Sequence, residues 1–172
     1  MAAEGDLSDD IFLLQRSDVT SAPVLGITGI WDRARDAQGL VPRAAFDAFA
    51  LRRWLPYVVI TDIHQDPFRV RYRLVGTALV EANKQDYTGI WLAQSGWPQE
   101  TIDLNMALYR RATETGEPVF GLSKVKWDMR LEYRFEWAIF PLSDDGTRVT
   151  QCLGIDDYAS VERDLLLQTP KQ

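Results

Sequence analysis

The chain is poor in the residues that most often carry covalent and metal chemistry. Its 172 residues include one cysteine, Cys152, so no internal disulfide is available, and one histidine, His64, so no multi-histidine metal site can be built. A lone thiol fits a reducing, cytoplasmic setting. No apolar run approaches the roughly 20 residues that a spanning helix requires. The opening stretch MAAEGDLSDDIFLLQ carries acids where a secretory signal carries Lys or Arg, so a soluble protein that is neither exported nor membrane-bound is expected. Positive charge is scarce as well. Against 25 acidic residues stand 19 basic ones, a formal net charge of -6, and such a field repels phosphate backbones and anionic lipid. No nucleic-acid partner is expected, although Arg69, Arg71 and Arg73 interleave with aromatics in FRVRYRLVGT. A Gly-rich phosphate loop, a metal-ligand cluster and a Gly-x-Ser-x-Gly elbow are all missing, which points away from an enzyme.

What is present is core-forming material, 46% hydrophobic and 11% aromatic. Residues 1–30 form an acidic extension with Glu4, Asp6, Asp9, Asp10 and Asp18 against Arg16 alone. Within it Ser8 is placed to cap a short helix carrying Ile11, Phe12, Leu13 and Leu14. VPRAAFDAFALRRW reads as a helix with Pro42 in its first turn and Phe46, Phe49 and Trp54 on the buried face, ended by Pro56. YVVITDI is β-branched and nearly all apolar, as a central strand covered on both faces would be, and HQDP turns it into an alternating partner from Phe68 to Val75. Small helices are expected over TALVEANKQDYTGIWLA. A longer helix runs from Pro98 to a stop at Gly116, with Ile102, Met106, Leu108, Tyr109 and Ala112 on one apolar face. Three meandering strands follow. The middle one alternates Arg130, Glu132, Arg134 and Glu136 with Leu131, Tyr133, Phe135 and Trp137, and Asp145 with Gly146 marks the next hairpin. ASVERDLLLQ closes the chain as a short helix capped by Ser160. Strands segregated from helices in this way indicate an α+β domain with an antiparallel sheet.

That order, with Trp31 and Arg35, Pro42 and Arg43, Leu55 and Pro56, Arg71 to Thr77, Thr88 and Gly89, then Glu136, Pro141, Leu142, Asp145 and Gly146, resembles the PAS domain family. The resemblance spans Trp31 to Tyr158. It implies a five-stranded antiparallel sheet in order 2-1-5-4-3 with helices packed on one face, residues 31–158 as the domain, and residues 159–172 as a C-terminal helix or tail. It also makes the Phe68–Val75 strand an edge strand, whose outward arginines guard its backbone against pairing. PAS domains sense small ligands, redox state or light, or bind partner proteins, and commonly feed histidine kinases or cyclic-dinucleotide enzymes. Only residues 1–30 and 159–172 flank the resemblance in this sequence, so a stand-alone (single-domain) module acting through another molecule is implied. Flavin photosensors of the family carry a reactive cysteine in an Asn-Cys-Arg-Phe-Leu-Gln motif. EANKQDYTG has none, so the photoadduct mechanism is excluded, while a non-covalent flavin is not. Haem is disfavoured because the long helix carries no histidine. No cofactor is evident.

The candidate ligand pocket is assigned to Tyr72, Leu74, Trp91, Met106, Tyr109, Tyr133, Phe135 and Trp137, weighed against the simpler reading that these side chains only fill the core. Glu136 is a polar anchor if it faces inward, and a surface residue if its alternation with Arg134 governs. Trp31, Arg35 and Arg43 tie the N-terminal segment to the sheet. Asp62, His64 and Asp66 decorate a hairpin tip with no nucleophile nearby, and Cys152 is a small buried hydrophobe. The apolar flanks Ile11–Leu14 and Val161–Leu167 are suited to homodimer contacts or to packing on the core. The expected function is a sensory or adaptor module in cytoplasmic signal transduction, through protein-protein interaction and binding of a small apolar ligand. The alternative is a small α+β cone enzyme of the cyclase or steroid-isomerase type.

Overall fold

One antiparallel sheet organises the chain. The computed structural model describes residues 6–8, 11–128 and 131–158, with side chains over 11–124 and 134–158. The strands are β1 (Asp6–Ser8), β2 (Ile11–Leu14), β3 (Val58–His64), β4 (Arg69–Val75), β5 (Val119–Asp128), β6 (Leu131–Leu142) and β7 (Gln151–Asp156). Their spatial order is β1-β2-β5-β6-β7-β3-β4, with every neighbouring pair antiparallel. Counted from β3, the last five strands stand in the order 2-1-5-4-3, the order that the family resemblance implies.

Three expectations are corrected. Ile11–Leu14 is a strand, not a helix, pairing with Phe120–Ser123 of β5, so the sheet has seven strands among the described residues rather than five. A four-residue apolar run has no periodicity to separate helix from strand, and the open edge of β5 decides the outcome. Second, the segment after Val41 is not one helix. It breaks into a 3-10 turn (Arg43–Phe46), a short helix α2 (Ala48–Leu51) and a second 3-10 turn (Leu55–Tyr57). Asp47 causes the break, since it leaves the first turn in extended conformation and its side chain accepts from Ala50 N at 2.7 Å to restart the helix. Phe46 is fully buried while Phe49 is 73% exposed, its ring covered by the Arg52 guanidinium at 4.2 Å. The helix expected after residue 158 lies outside the described residues.

The third correction concerns the layers. Helices cover both faces of the sheet. On one side lies α1 (Ala22–Ala34), which starts at Ser21, whose side chain accepts from Val24 N, with Pro23 in its first turn. Its buried stripe Val24, Ile27 and Trp31 meets Val58, Ile60, Ala138, Phe140, Leu142, Leu153 and Ile155 of the sheet. On the other side α4 (Gln99–Thr115) faces Ile63, Tyr72, Phe135, Trp137, Ile139 and Cys152, and α3 (Thr77–Asn83) lies against the second 3-10 turn (Leu55–Tyr57). The alternation expected in β6 therefore separates two cores rather than a core from water.

α4 matches its sequence signals. Pro98 stands at the N-cap, Gly116 stops the helix in the left-handed region at φ 67°, and Ile102, Leu108, Tyr109 and Ala112 are buried. β3 is covered on both faces, and β4 is the sheet edge with Arg69, Arg71 and Arg73 exposed. Of the residues expected to tie the N-terminal half to the sheet, Trp31 does so through its side chain and Arg43 only through its backbone. The Trp31 indole donates to Pro141 O at 3.0 Å, and Arg43 N donates to Ser143 O at 2.8 Å. Arg35 lies over the Trp31 ring at 5.0 Å and pairs with Glu117.

Candidate functional site

Between α4 and the sheet lies a cavity of about 390 Å³. Its floor is the α4-side face of the sheet, with Val59 of β3, Tyr72 of β4, Phe135 and Trp137 of β6 and Gly154 of β7; its roof is Thr101, Asn105, Leu108 and Tyr109 of α4, and Leu79 and Asn83 of α3 close one side. Ile11 of β2 and Ser123 of β5 complete the wall, so the N-terminal strand takes part in it.

The space exists for a local reason. Along QCLGID, Leu153 and Ile155 point to the α1 core, while Cys152, Gly154 and Asp156 point to the α4 side. Gly154 presents no side chain at the middle of that row. A Cβ there would make ordinary contacts, 3.6 Å from Val59 Cβ and 3.9 Å from the Tyr109 hydroxyl oxygen. Gly121 serves a different purpose. A Cβ there would lie 2.1 Å from the Trp137 indole, which rests directly on the β5 backbone.

The lining is rich in rings. Trp97 Nε1 donates to the Tyr87 hydroxyl at 2.6 Å, their rings meet edge-on at 5.1 Å, and Tyr72 lies 5.8 Å from Tyr87 and 6.3 Å from Trp97. Phe135 stacks on Tyr158 at 4.5 Å. Into this apolar wall projects Asp156. The part of Asp156 that remains accessible borders the cavity, and withdrawal from bulk water pushes its carboxyl up to about 7. Among the described residues its side chain has no hydrogen-bond partner. Burial likewise raises the phenols of Tyr72, Tyr109 and Tyr158, the Asp156 charge adding to each, so all three stay neutral donors at physiological pH.

Of the residues anticipated from sequence, Tyr72, Tyr109, Phe135 and Trp137 line the cavity, and three others do not. Leu74 is turned to the α1 core by a β-bulge. The register passes from Ile60–Leu74 to Thr61–Tyr72, leaving Arg73 as the extra residue and placing Tyr72 and Leu74 on opposite faces. Trp91 bridges to Arg71 along the edge of β4, under the guanidinium groups of Arg69 at 4.5 Å and Arg71 at 5.8 Å and edge-on to His64 at 5.0 Å. Met106 packs on the same core but sits off the stripe Thr101, Asn105, Leu108 and Tyr109 that lines the cavity. The Tyr133 side chain lies outside those described.

Glu136 does not face the cavity. It projects to the α1 side, where its carboxylate accepts from Thr20 N at 2.9 Å, from the Thr20 hydroxyl at 2.5 Å and from Ser21 N at 2.8 Å, and so anchors the start of α1. Beside it, the Ser21 hydroxyl donates to the buried Asp157 at 2.9 Å. Asp156, Gly154, Tyr87 and Trp97 are lining residues that sequence reasoning missed. The alternation of Cys152, Gly154 and Asp156 was the available signal, obscured because Asp-Asp at a strand end reads as solvated.

Cys152 is buried with its thiol pushed up to about 12, which leaves it unreactive. His64 is exposed at the end of β3, and Asp62 accepts from Gln151 Nε2 at 2.7 Å rather than from the imidazole. Among the described residues no group of three or more His, Cys, Asp and Glu could hold a metal, and no helix is long and apolar enough to cross a membrane.

No family model matches this chain, and no curated protein does. Among solved structures it is similar to one described as "Structure of an RNA-binding Light-Oxygen-Voltage Receptor", with 20% identity and a TM-score of 0.44 over 94% of this chain. The alignment spans 42% of that receptor's chain, so this sequence corresponds to less than half of its length.

Proposed function

We propose that this chain is a PAS-like sensory module that takes a small, largely apolar ligand into the cavity beneath α4 and passes occupancy to a partner protein. The observation that carries the reading is the cavity: about 390 Å³, walled by aromatic rings and provided with a few polar groups, it has the size and character of small-ligand sites. The 2-1-5-4-3 order of the last five strands supports a PAS-like architecture. The partner is a second copy of this chain, a histidine kinase or a cyclic-dinucleotide enzyme, the outputs usual for such modules. Native mass spectrometry of protein purified from its host tests the reading. A stoichiometric small molecule is expected, and Gly154→Leu, which fills the cavity, should release it while leaving the circular dichroism unchanged. Protein that carries no ligand but still captures a signalling enzyme would reduce the module to an adaptor.

Asp156 favours a second reading. A carboxyl raised in an apolar cavity beside neutral tyrosines is equipped for proton transfer, as an α+β cone enzyme of the steroid-isomerase type would need. Isomerase or cyclase turnover that disappears in Asp156→Asn would establish it over the sensor.

A further inference from the structure

Resting on the cavity as a ligand site, we propose that the ligand is a protonated amine with an apolar body, its ammonium held by Asp156 and by the faces of the surrounding rings. Two observations on different elements converge. Asp156 at the end of β7 borders the cavity with no hydrogen-bond partner among the described residues, although carboxylates out of bulk water are ordinarily paired. Tyr72 from β4, Phe135 from β6 and Tyr158 just past β7 line the same cavity, Phe135 and Tyr158 stacked on each other at 4.5 Å, and aromatic rings of this kind attract a cation over a free face.

The charge balance of the site selects the sign of the ligand. The groups that face Asp156 are the phenols of Tyr72 from β4, Tyr109 from α4 and Tyr158 just past β7. Asn83 and Asn105 are the neutral amides in the wall, and no described lining residue is Lys, Arg or His. Glu136 and Asp157 engage Thr20 and Ser21 and take no part. When Asp156 is ionised, the described lining therefore holds one negative charge and no counter-ion to it. An amine supplies both the missing donor and the missing charge; an alcohol supplies only the donor, and a carboxylic acid adds a second negative charge.

Isothermal titration with 2-phenylethylamine, 2-phenylethanol and 3-phenylpropanoate tests this, because the three share a ring and differ in head-group charge. At pH 8 the amine is expected to bind about tenfold or more tightly than the alcohol, and the acid most weakly. In Asp156→Asn the amine and the alcohol should bind alike. Between pH 8 and pH 5.5 the affinity of wild type for the amine should fall on the order of tenfold as Asp156 takes up a proton, with the alcohol unaffected and the variant flat. Equal binding of amine and alcohol, an amine preference that survives Asp156→Asn, or no binding of the amine to wild type would each overturn the inference. If the alcohol binds wild type, shows no disadvantage against the amine, and is shut out by Gly154→Leu, the cavity remains a ligand site and only the amine is lost. If no probe binds and protein from the host carries no small molecule, both readings fall together.

Discussion

The two faces of the sheet share the same strands and have opposite interiors. On the α1 side Val24, Ile27, Phe46, Phe140 and Leu153 have no exposed surface, and Phe140 meets Phe120 edge-on at 5.9 Å. On the α4 side the alternate residues of β6, Phe135 and Trp137, keep 7% and 6% of their surface, and about 390 Å³ stays unfilled beside them. Hydrophobicity does not separate the two faces, since both are aromatic. What separates them is Gly154, which withholds a side chain from the middle of the α4 face, and Asp156, which puts a carboxyl at its end. One face is packed for stability, and the other gives up packing to keep a site.

This contrast can be broken at its firm side first. Phe140→Ala removes a fully buried ring from the close-packed face, and urea denaturation should show a loss of about 4 kcal/mol. A loss below about 1 kcal/mol would mean that this core collapses readily and is no tighter than its counterpart.

The second test sharpens the cavity side. With a folded-state value of about 7 against an ordinary 3.8, Asp156 favours the native state in its protonated form. Its contribution is fully present below about pH 4 and is lost as pH rises through about 7. In the ligand-free protein Asp156→Asn should remove that component of the pH dependence and stabilise at pH 8 by about 2 kcal/mol, read from melting curves at several pH values. A variant less stable than wild type at pH 8 would show that the carboxylate has a partner in the empty protein.

The smallest effect distinguishes the two glycines. Gly121→Ala forces the Trp137 indole off the β5 backbone and should cost about 1 kcal/mol. Gly154→Ala meets only ordinary contacts and should lie within about 0.5 kcal/mol of wild type by the same denaturation assay. Equal costs would remove the distinction between a glycine that seats a ring and one that leaves a space.

Much of the scaffold was legible in the sequence because it was periodic. α4 announced both its ends through Pro98 and Gly116, and YVVITDI read as a doubly covered strand. The failures have physical causes. Ile11–Leu14 is too short for a period and takes its conformation from the edge of β5. The bulge at Arg73 reverses the facing of Leu74 without any mark in FRVRYRLV, since strict alternation is what a reader assumes. At the site, four of the anticipated side chains line the cavity, while the residues that make it hollow and polar, Gly154 and Asp156, look like ordinary strand and turn residues. An absence of side chain becomes a cavity only when the neighbouring strands are in place.

β6 carries one further consequence. Glu136 grips Thr20 and Ser21 on one side of the sheet, and Trp137, the next residue, lines the cavity on the other. Their α-carbons are about 3.8 Å apart on one backbone. The strand is thus a partition with a handle on each side, one gripping the residues that lead into α1 and the other lining the cavity.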